Sequence, residues 1–374
     1  MKLLAVADRI DSTIAEIRLG LPLRTLAAER GWALRLCSTL EVDDAALAAA
    51  DVLVVQRAVT RRSLALIEAM RRGGGHAVYE IDDLLTEPAP HLLGYRQALR
   101  QVRWVRRGLA AADVVSVSTP RLAQALQPLA RQVMVVPNHA WPGAPQAAPW
   151  DAQGPLHLLL AASDHVAAGG LLPALQQLLQ QRPGRARLVA VGPAAAALAA
   201  AGLPAQVLPL MPRPAFMDFV AALPQGVVLM PLGETRFDAC KSAIKFFDCA
   251  AMGVPALCSN LPPYADVMQD GDNGRLVAPG AEAWLAALTS LVDNPAQAQA
   301  WACRAAADVA ARHTLGHSCA AWAALFESLG PRRFAAPPAP WWQAAWRGGL
   351  RRVQQLNRQR LERRQRRTQE SRAE

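Results

Sequence analysis

The chain has 374 residues, 52% of them apolar, with 40 Lys and Arg against 30 Asp and Glu. That length exceeds one ordinary domain and matches two, each with enough apolar material for its own core. Aromatic residues make up 5%, and the alanine- and leucine-rich composition favours helices packed on sheets over an all-β sandwich.

The charge is uneven. Residues 347–374 hold ten Arg and three Glu, a net +7, which leaves +3 of the total +10 for everything before them. The basic character belongs to a tail, so the high charge does not make the body a nucleic-acid binder. Cys37, Cys240, Cys249, Cys258, Cys303 and Cys319 form no CxxC pair and no zinc-spaced cluster. They read as reduced thiols of a cytoplasmic chain, with no metal site. The apolar run 3–7 is too short for a signal segment. The longest uncharged stretch, 188–212, is interrupted by Gly192, Pro193, Gly202, Pro204 and Pro209, and does not read as a membrane span.

In chain order, strands are expected at 2–7, 32–37, 51–56, 76–82, 113–118 and 133–136. Helices are expected between them at 22–30, 63–72, 93–112 and 120–129. Continuously apolar strands separated by helices indicate a parallel sheet covered on both faces. Residues 139–155, rich in Pro and Gly, then read as a linker. The alternation resumes with strands at 156–162, 188–191, 207–210, 226–230, 254–258 and 275–277. Helices are expected at 241–252, 281–292, 296–313 and 318–329. The expected organisation is a first Rossmann-like domain over 1–140, a linker over 141–155, a second Rossmann-like domain over 156–330 and an appendage over 331–374. Two doubly wound halves would present the carboxyl ends of their strands to a shared cleft, where ligands bind.

The densest chemistry lies around Lys241, Ser242, Lys245 and Asp248. On one helix, Lys241, Lys245 and Asp248 share a face, with Ser242 in the first turn and Gly253 as the stop. A helix N-terminus attracts anions, two lysines add charge for a diphosphate, and a carboxylate further along can accept from ribose hydroxyls. Read alone, the same residues also describe a solvated helix face with a weak Lys245–Asp248 ion pair.

The segment 228–277 resembles the donor-binding region of the GT-B glycosyltransferases of family 4, the glycosyl transferases group 1. The matching pieces are Pro231-Leu232, Lys241-Ser242 with Lys245, Gly253-Val254-Pro255, Ser259, Tyr264, Asp270-Gly271 and Asn273-Gly274. Many members carry two glutamates here. Asp248 falls on the second, ribose-binding position, and Cys240 on the first. Weaker similarities are Arg18 with Pro22 as an Arg-x-x-x-Pro element, Val136-Pro137-Asn138 as an interdomain turn, and a loop with Ser163 and His165 beside the donor.

The resemblance implies a two-domain GT-B fold. It also implies sugar transfer from a nucleoside diphosphate sugar to a hydroxyl acceptor, with retention of configuration and no metal or other cofactor. Its donor site would comprise Ser163, His165, Lys241, Ser242, Lys245 and Asp248, and Lys241 and Lys245 would steady the leaving diphosphate. Across the cleft, Asp82 and Asp83 end a strand and either orient an acceptor hydroxyl or cap the following loop. The acceptor class stays open among glycans, lipid-linked sugars and protein hydroxyls, in glycan or surface polysaccharide synthesis. A GT-B nucleotide-sugar epimerase and a non-catalytic binding protein of the same fold stay open as alternatives.

In the appendage, Trp341, Trp342 and Trp346 precede the ten arginines. Tryptophan favours the membrane interface and arginine favours anionic headgroups, so this tail is a candidate peripheral anchor at the inner membrane face. A solvated basic helix fits the same composition.

Overall fold

The computed structural model describes residues 1–331 apart from 93, 149, 151–153 and 162–167. Two six-stranded sheets lie in succession. The first contains β1 (Lys2–Ala7), β2 (Ala33–Ser38), β3 (Val52–Gln56), β4 (His76–Ile81), β5 (Val114–Val117) and β6 (Val133–Val135) in the order β2-β1-β3-β4-β5-β6. The second contains β7 (Leu156–Leu160), β8 (Ala186–Val191), β9 (Ala205–Leu208), β10 (Gly226–Met230), β11 (Ala256–Ser259) and β12 (Arg275–Val277) in the order β12-β11-β10-β7-β8-β9. Every pairing is parallel.

The central strands are buried along their whole length, as in β3, β4 and β10. Helices on both faces supply that burial, which is why these strands read as unbroken apolar runs without alternation. The strand order reverses between β1 and β3 in the first sheet and between β7 and β10 in the second. Crevices open outside the carboxyl ends of strands at such reversals.

Each domain has its own core. In the second, Leu158, Leu188, Leu229 and Trp284 pack on one face of the sheet, and Val189, Val228, Phe247 and Met252 on the other. In the first, Val55, Ile67, Tyr79 and Leu109 fill one face. The other face is completed from the far end of the chain. The helix Leu315–Ser328 places Cys319, Trp322, Leu325 and Phe326 against Leu3, Leu23, Val54 and Val78. Trp322 Nε1 donates to the Arg18 carbonyl at 3.2 Å. By chain order this helix belongs with the second domain, whereas in space it packs on the first.

The helices differ from expectation in three places. The first begins earlier, with Thr13–Ala15 and a π-helical turn Glu16–Gly20 leading into Leu21–Arg30. Pro22 commonly marks a helix start, but the wider π turn gives its ring room where an unbroken α-helix would clash. The helix expected from Lys241 begins at Ile244. Thr235 caps a separate short helix, Arg236–Ala239, so residues 240–243 form the turn between the two. The helices Asp44–Ala49, Leu171–Gln181 and Arg213–Ala222 have no counterpart among those expected. Among the described residues, no helix is long and apolar enough to cross a membrane. The tail beyond Pro331, with its tryptophans and arginines, lies outside the described residues.

Candidate functional site

A cavity of about 260 Å³ opens between the domains. Arg18, Arg57, Asp82 and Asp83 line it from the first domain, and Lys241, Ser242, Lys245 and Tyr264 from the second. Asn138, from the segment joining the domains, lies between the two walls.

The first-domain wall is built on two arginine–carboxylate networks. Arg18, 2% exposed, sits on the π-helical turn. Its Nε donates to Glu80 Oε1 at 2.7 Å, and its Nη1 to the Val136 carbonyl at 2.6 Å and to Asn138 Oδ1 at 2.9 Å. Nη2 is buried without a partner among the described residues. Burial pushes the Glu80 carboxyl up, against the pull of Arg18.

Arg57 follows β3 directly and has φ +46°, a conformation that side-chain-bearing residues seldom adopt. Its backbone N–H donates to the Glu80 carbonyl at 2.8 Å. Its side chain grips both adjacent carboxylates: Nε to Asp82 Oδ1 at 2.6 Å, Nη2 to Asp82 Oδ2 at 2.9 Å, and Nη2 to Asp83 Oδ2 at 2.8 Å. Burial opposes both charges. The pairing outweighs it, so the Asp82 carboxyl is held below its ordinary value and the Arg57 guanidinium above its own.

The second-domain wall is the turn between two helices. Lys241 Nζ lies 3.6 Å from Asp83 Oδ1 and 4.6 Å from the centre of the Phe237 ring. Ser242 Oγ accepts from Asn138 Nδ2 at 2.6 Å, across the domain boundary. Lys245 Nζ donates to the Ala161 carbonyl at 3.2 Å. Ala243 contributes no side-chain cap to the helix Ile244–Ala251. Its first turn therefore offers backbone N–H groups and the positive end of its dipole beside two lysines, which is an anion site by construction.

The structure thus brings Asp82, Asp83, Lys241, Ser242 and Lys245 together. Asp248 does not line the cavity. Its Oδ1 accepts from Arg213 Nη2 and, at 3.2 Å, from the Trp141 N–H. Burial pushes this carboxyl up, against the pull of Arg213. Because Lys241 precedes the helix, the expected single face of Lys241, Lys245 and Asp248 does not form. Ser163 and His165 lie outside the described residues. Cys240 is 3% exposed and packs with Phe237 into the core of the first domain. Its carbonyl accepts from Thr119 Oγ1 at 2.9 Å. The residue at the first glutamate position therefore serves domain docking here.

The resemblance includes Tyr264 in the donor-binding region and Arg18 and Asn138 in weaker matching elements without giving them a chemical role, and the sequence does not single out Arg57. The signal for Arg57 is a charged residue immediately after the carboxyl end of a fully buried strand.

The family model of the glycosyl transferases group 1 matches residues 161–294, the stretch that contains the lysine-bearing turn. Over that stretch the chain is similar to the glycosyl transferases group 1. Likeness of fold extends over both domains. Sucrose-phosphate synthase from Thermosynechococcus elongatus is 12% identical with a TM-score of 0.64, covering 88% of this chain and 99% of that one. HepE from Anabaena in complex with UDP-glucose is 14% identical with a TM-score of 0.63, covering 88% and 100%. A putative UDP-N-acetylglucosamine 2-epimerase from Listeria monocytogenes is 14% identical with a TM-score of 0.54, covering 90% and 99%. The shared architecture is the GT-B fold. No curated protein matches the sequence.

Proposed function

We propose that this protein is a glycosyltransferase that moves a sugar from a nucleoside diphosphate sugar to a hydroxyl acceptor, with retention of configuration and without a metal ion. The observation that carries the reading is one cavity with two lysines and an uncapped helix start on one wall and an arginine-held pair of carboxylates on the other.

The diphosphate sits at the start of the helix Ile244–Ala251, with Ser242 and the first-turn N–H groups on its oxygens. As the bond from the anomeric carbon to the diphosphate oxygen breaks, negative charge grows on that oxygen. Lys241 and Lys245 are already in place to meet it, and such preorganised charge stabilisation commonly contributes more to catalysis than any other single effect. The acceptor oxygen bonds to the anomeric carbon, and its proton passes to the departing diphosphate on the same face of the sugar. Asp82 and Asp83, fixed by Arg57, orient the acceptor hydroxyl. The lysines supply the positive charge that a metal ion supplies elsewhere, which supports a metal-independent reaction.

Asp248 lies outside the cavity lining, so a ribose contact by it rests on the family resemblance alone. Ser163 and His165 complete the donor site in this reading. The likeness to a protein crystallised with UDP-glucose makes UDP-sugars the first donors to test. The pathway is assembly of a glycan or surface polysaccharide at the inner membrane face, a reading that rests on the tryptophan- and arginine-rich tail.

A thermal-shift screen of UDP-, GDP- and ADP-sugars tests the donor assignment. A true donor at about 100 times its Kd stabilises the fold by about 2.7 kcal/mol. No shift with any nucleotide sugar contradicts the reading. With a donor in hand, anomeric analysis of the product tests retention, and turnover in a chelator tests metal independence. Epimerised sugar released without acceptor would replace transfer by epimerisation.

A further inference from the structure

We propose that the arginine-striped face of the helix Tyr95–Ala111 docks on an anionic lipid bilayer. This helix carries five arginines and no Asp or Glu over 17 residues. Arg96, Arg100, Arg103 and Arg107 follow one another at steps of four, three and four, so they form a single stripe along it. All four are exposed. The opposite side, with Val105, Gly108 and Leu109, is buried in the first domain.

Most of the stripe is not neutralised by its own protein. Like charges at these spacings repel, and a face kept only for solubility or helix stability gains by mixing signs. Glu68 reaches Arg107 at 3.9 Å. Among the described residues, no ion pair is made to Arg96, Arg100, Arg103 or Arg106. A sheet of lipid phosphates supplies the missing counter-charge along the full length of the stripe.

The borders of the stripe select lipid over other polyanions. Leu99 is 47% exposed on one flank. On the other flank lies Trp104, its ring under the Arg103 and Arg107 guanidiniums at 4.8 and 5.5 Å. A basic face edged by leucine and tryptophan suits the boundary between headgroups and acyl chains. The helix also starts just beyond Asp82 and Asp83, on the carboxyl side of β4, so docking holds the acceptor wall of the cleft beside the bilayer. This surface is separate from the tail and does not depend on the donor assignment.

The test uses the full chain with Cys303→Ser, which removes the exposed thiol among the described cysteines, and Leu99→Cys labelled with an environment-sensitive dye. Phosphatidylcholine vesicles with phosphatidylglycerol should shift the dye emission to the blue, and pure phosphatidylcholine vesicles should not. Adding Arg100→Glu and Arg103→Glu should weaken the apparent vesicle affinity at the dye by at least about tenfold. Since these residues are exposed, the melting temperature should be unchanged. Three results would each overturn the proposal: co-sedimentation with anionic vesicles without a dye shift, which assigns binding to another surface; a shift that survives the charge reversals; or an equal shift with a DNA duplex.

Discussion

Asn138 Nδ2 lies 2.6 Å from Ser242 Oγ and donates to it, while Asn138 Oδ1 accepts from Arg18 Nη1 at 2.9 Å. One side chain in the segment between the domains therefore ties the lysine-bearing turn of the second domain to the buried Arg18–Glu80 pair of the first. Arg18 is in turn packed from behind by Trp322, on the last described helix. The separation of the cleft walls is thus set by residues from five distant parts of the chain.

Asn138→Ala should remove this tie while leaving Arg18 its Glu80 and Val136 partners. The lost bond to Ser242 costs roughly 0.5–1.5 kcal/mol, so donor affinity should fall about 2- to 13-fold in a binding titration. An unchanged donor Kd would mean that the Asn138–Ser242 contact does not shape the donor site.

Arg18→Met should be much more damaging to stability, because it strands Glu80 in a fully buried position. Breaking such a pair costs about 3–5 kcal/mol. The double variant Arg18→Met with Glu80→Leu should recover much of that loss in thermal or denaturant unfolding. Equal destabilisation by the single and double variants would show that the charge pair itself matters little.

The central strands were legible in the sequence because strands buried on both faces read as unbroken apolar runs between glycine and proline stops, and the edge strands followed from the alternation with helices. Lys241, Ser242, Lys245, Asp82 and Asp83 were legible as members of one cleft because each follows a strand end. The rest depended on contacts that run against residue type. An arginine reads as a surface residue, yet Arg18 is buried by a π-helical turn that no simple periodicity announces. Arg57 required a left-handed backbone. Cys240 and Phe237 sit in the donor half by sequence but pack into the first domain. The last helix crosses back to the first sheet, and linear order carries no sign of that.

The pH dependence of stability should show His139. It is 1% exposed, and burial, with Arg213 and Arg18 nearby, pushes its imidazole down to about 4 from 6.5. Between those values the unfolded chain binds a proton that the folded chain does not, so stability rises with pH across this window. The contribution is fully present above about 6.5 and is lost as pH falls toward 4, by up to about 3 kcal/mol. In urea unfolding, the difference between wild type and His139→Leu should therefore change between pH 7 and pH 4, and a constant difference would contradict this account.

Trp322→Ala should cost about 3–5 kcal/mol, since it empties a fully buried site under the first sheet and removes the bond to the Arg18 carbonyl. Arg121→Ala breaks the interdomain pair with Asp266, but both side chains are exposed, so its cost should stay below about 1 kcal/mol. Comparable melting-temperature losses for the two variants would mean that the last helix is only loosely attached.

Asp82→Asn should separate acceptor chemistry from donor binding. It weakens the grip of Arg57 on the carboxylate pair without touching the lysine turn. Turnover should fall at least tenfold while the donor Kd moves less than about threefold, as expected for a group that acts on the acceptor side. A large rise in donor Kd with unchanged turnover would reassign the carboxylates to donor binding.

The central claim is that Lys241 and Lys245 hold a nucleoside diphosphate at the start of the helix Ile244–Ala251. Calorimetric titration of UDP into the wild type and into Lys241→Ala with Lys245→Ala tests it most directly, with GDP and ADP as parallel titrants. Charged hydrogen bonds to phosphate are worth about 1.5–3 kcal/mol each, so the nucleotide that binds should lose at least about tenfold in affinity in the double variant. Undiminished binding in that variant, or no binding of any nucleoside diphosphate to the wild type, would contradict the account.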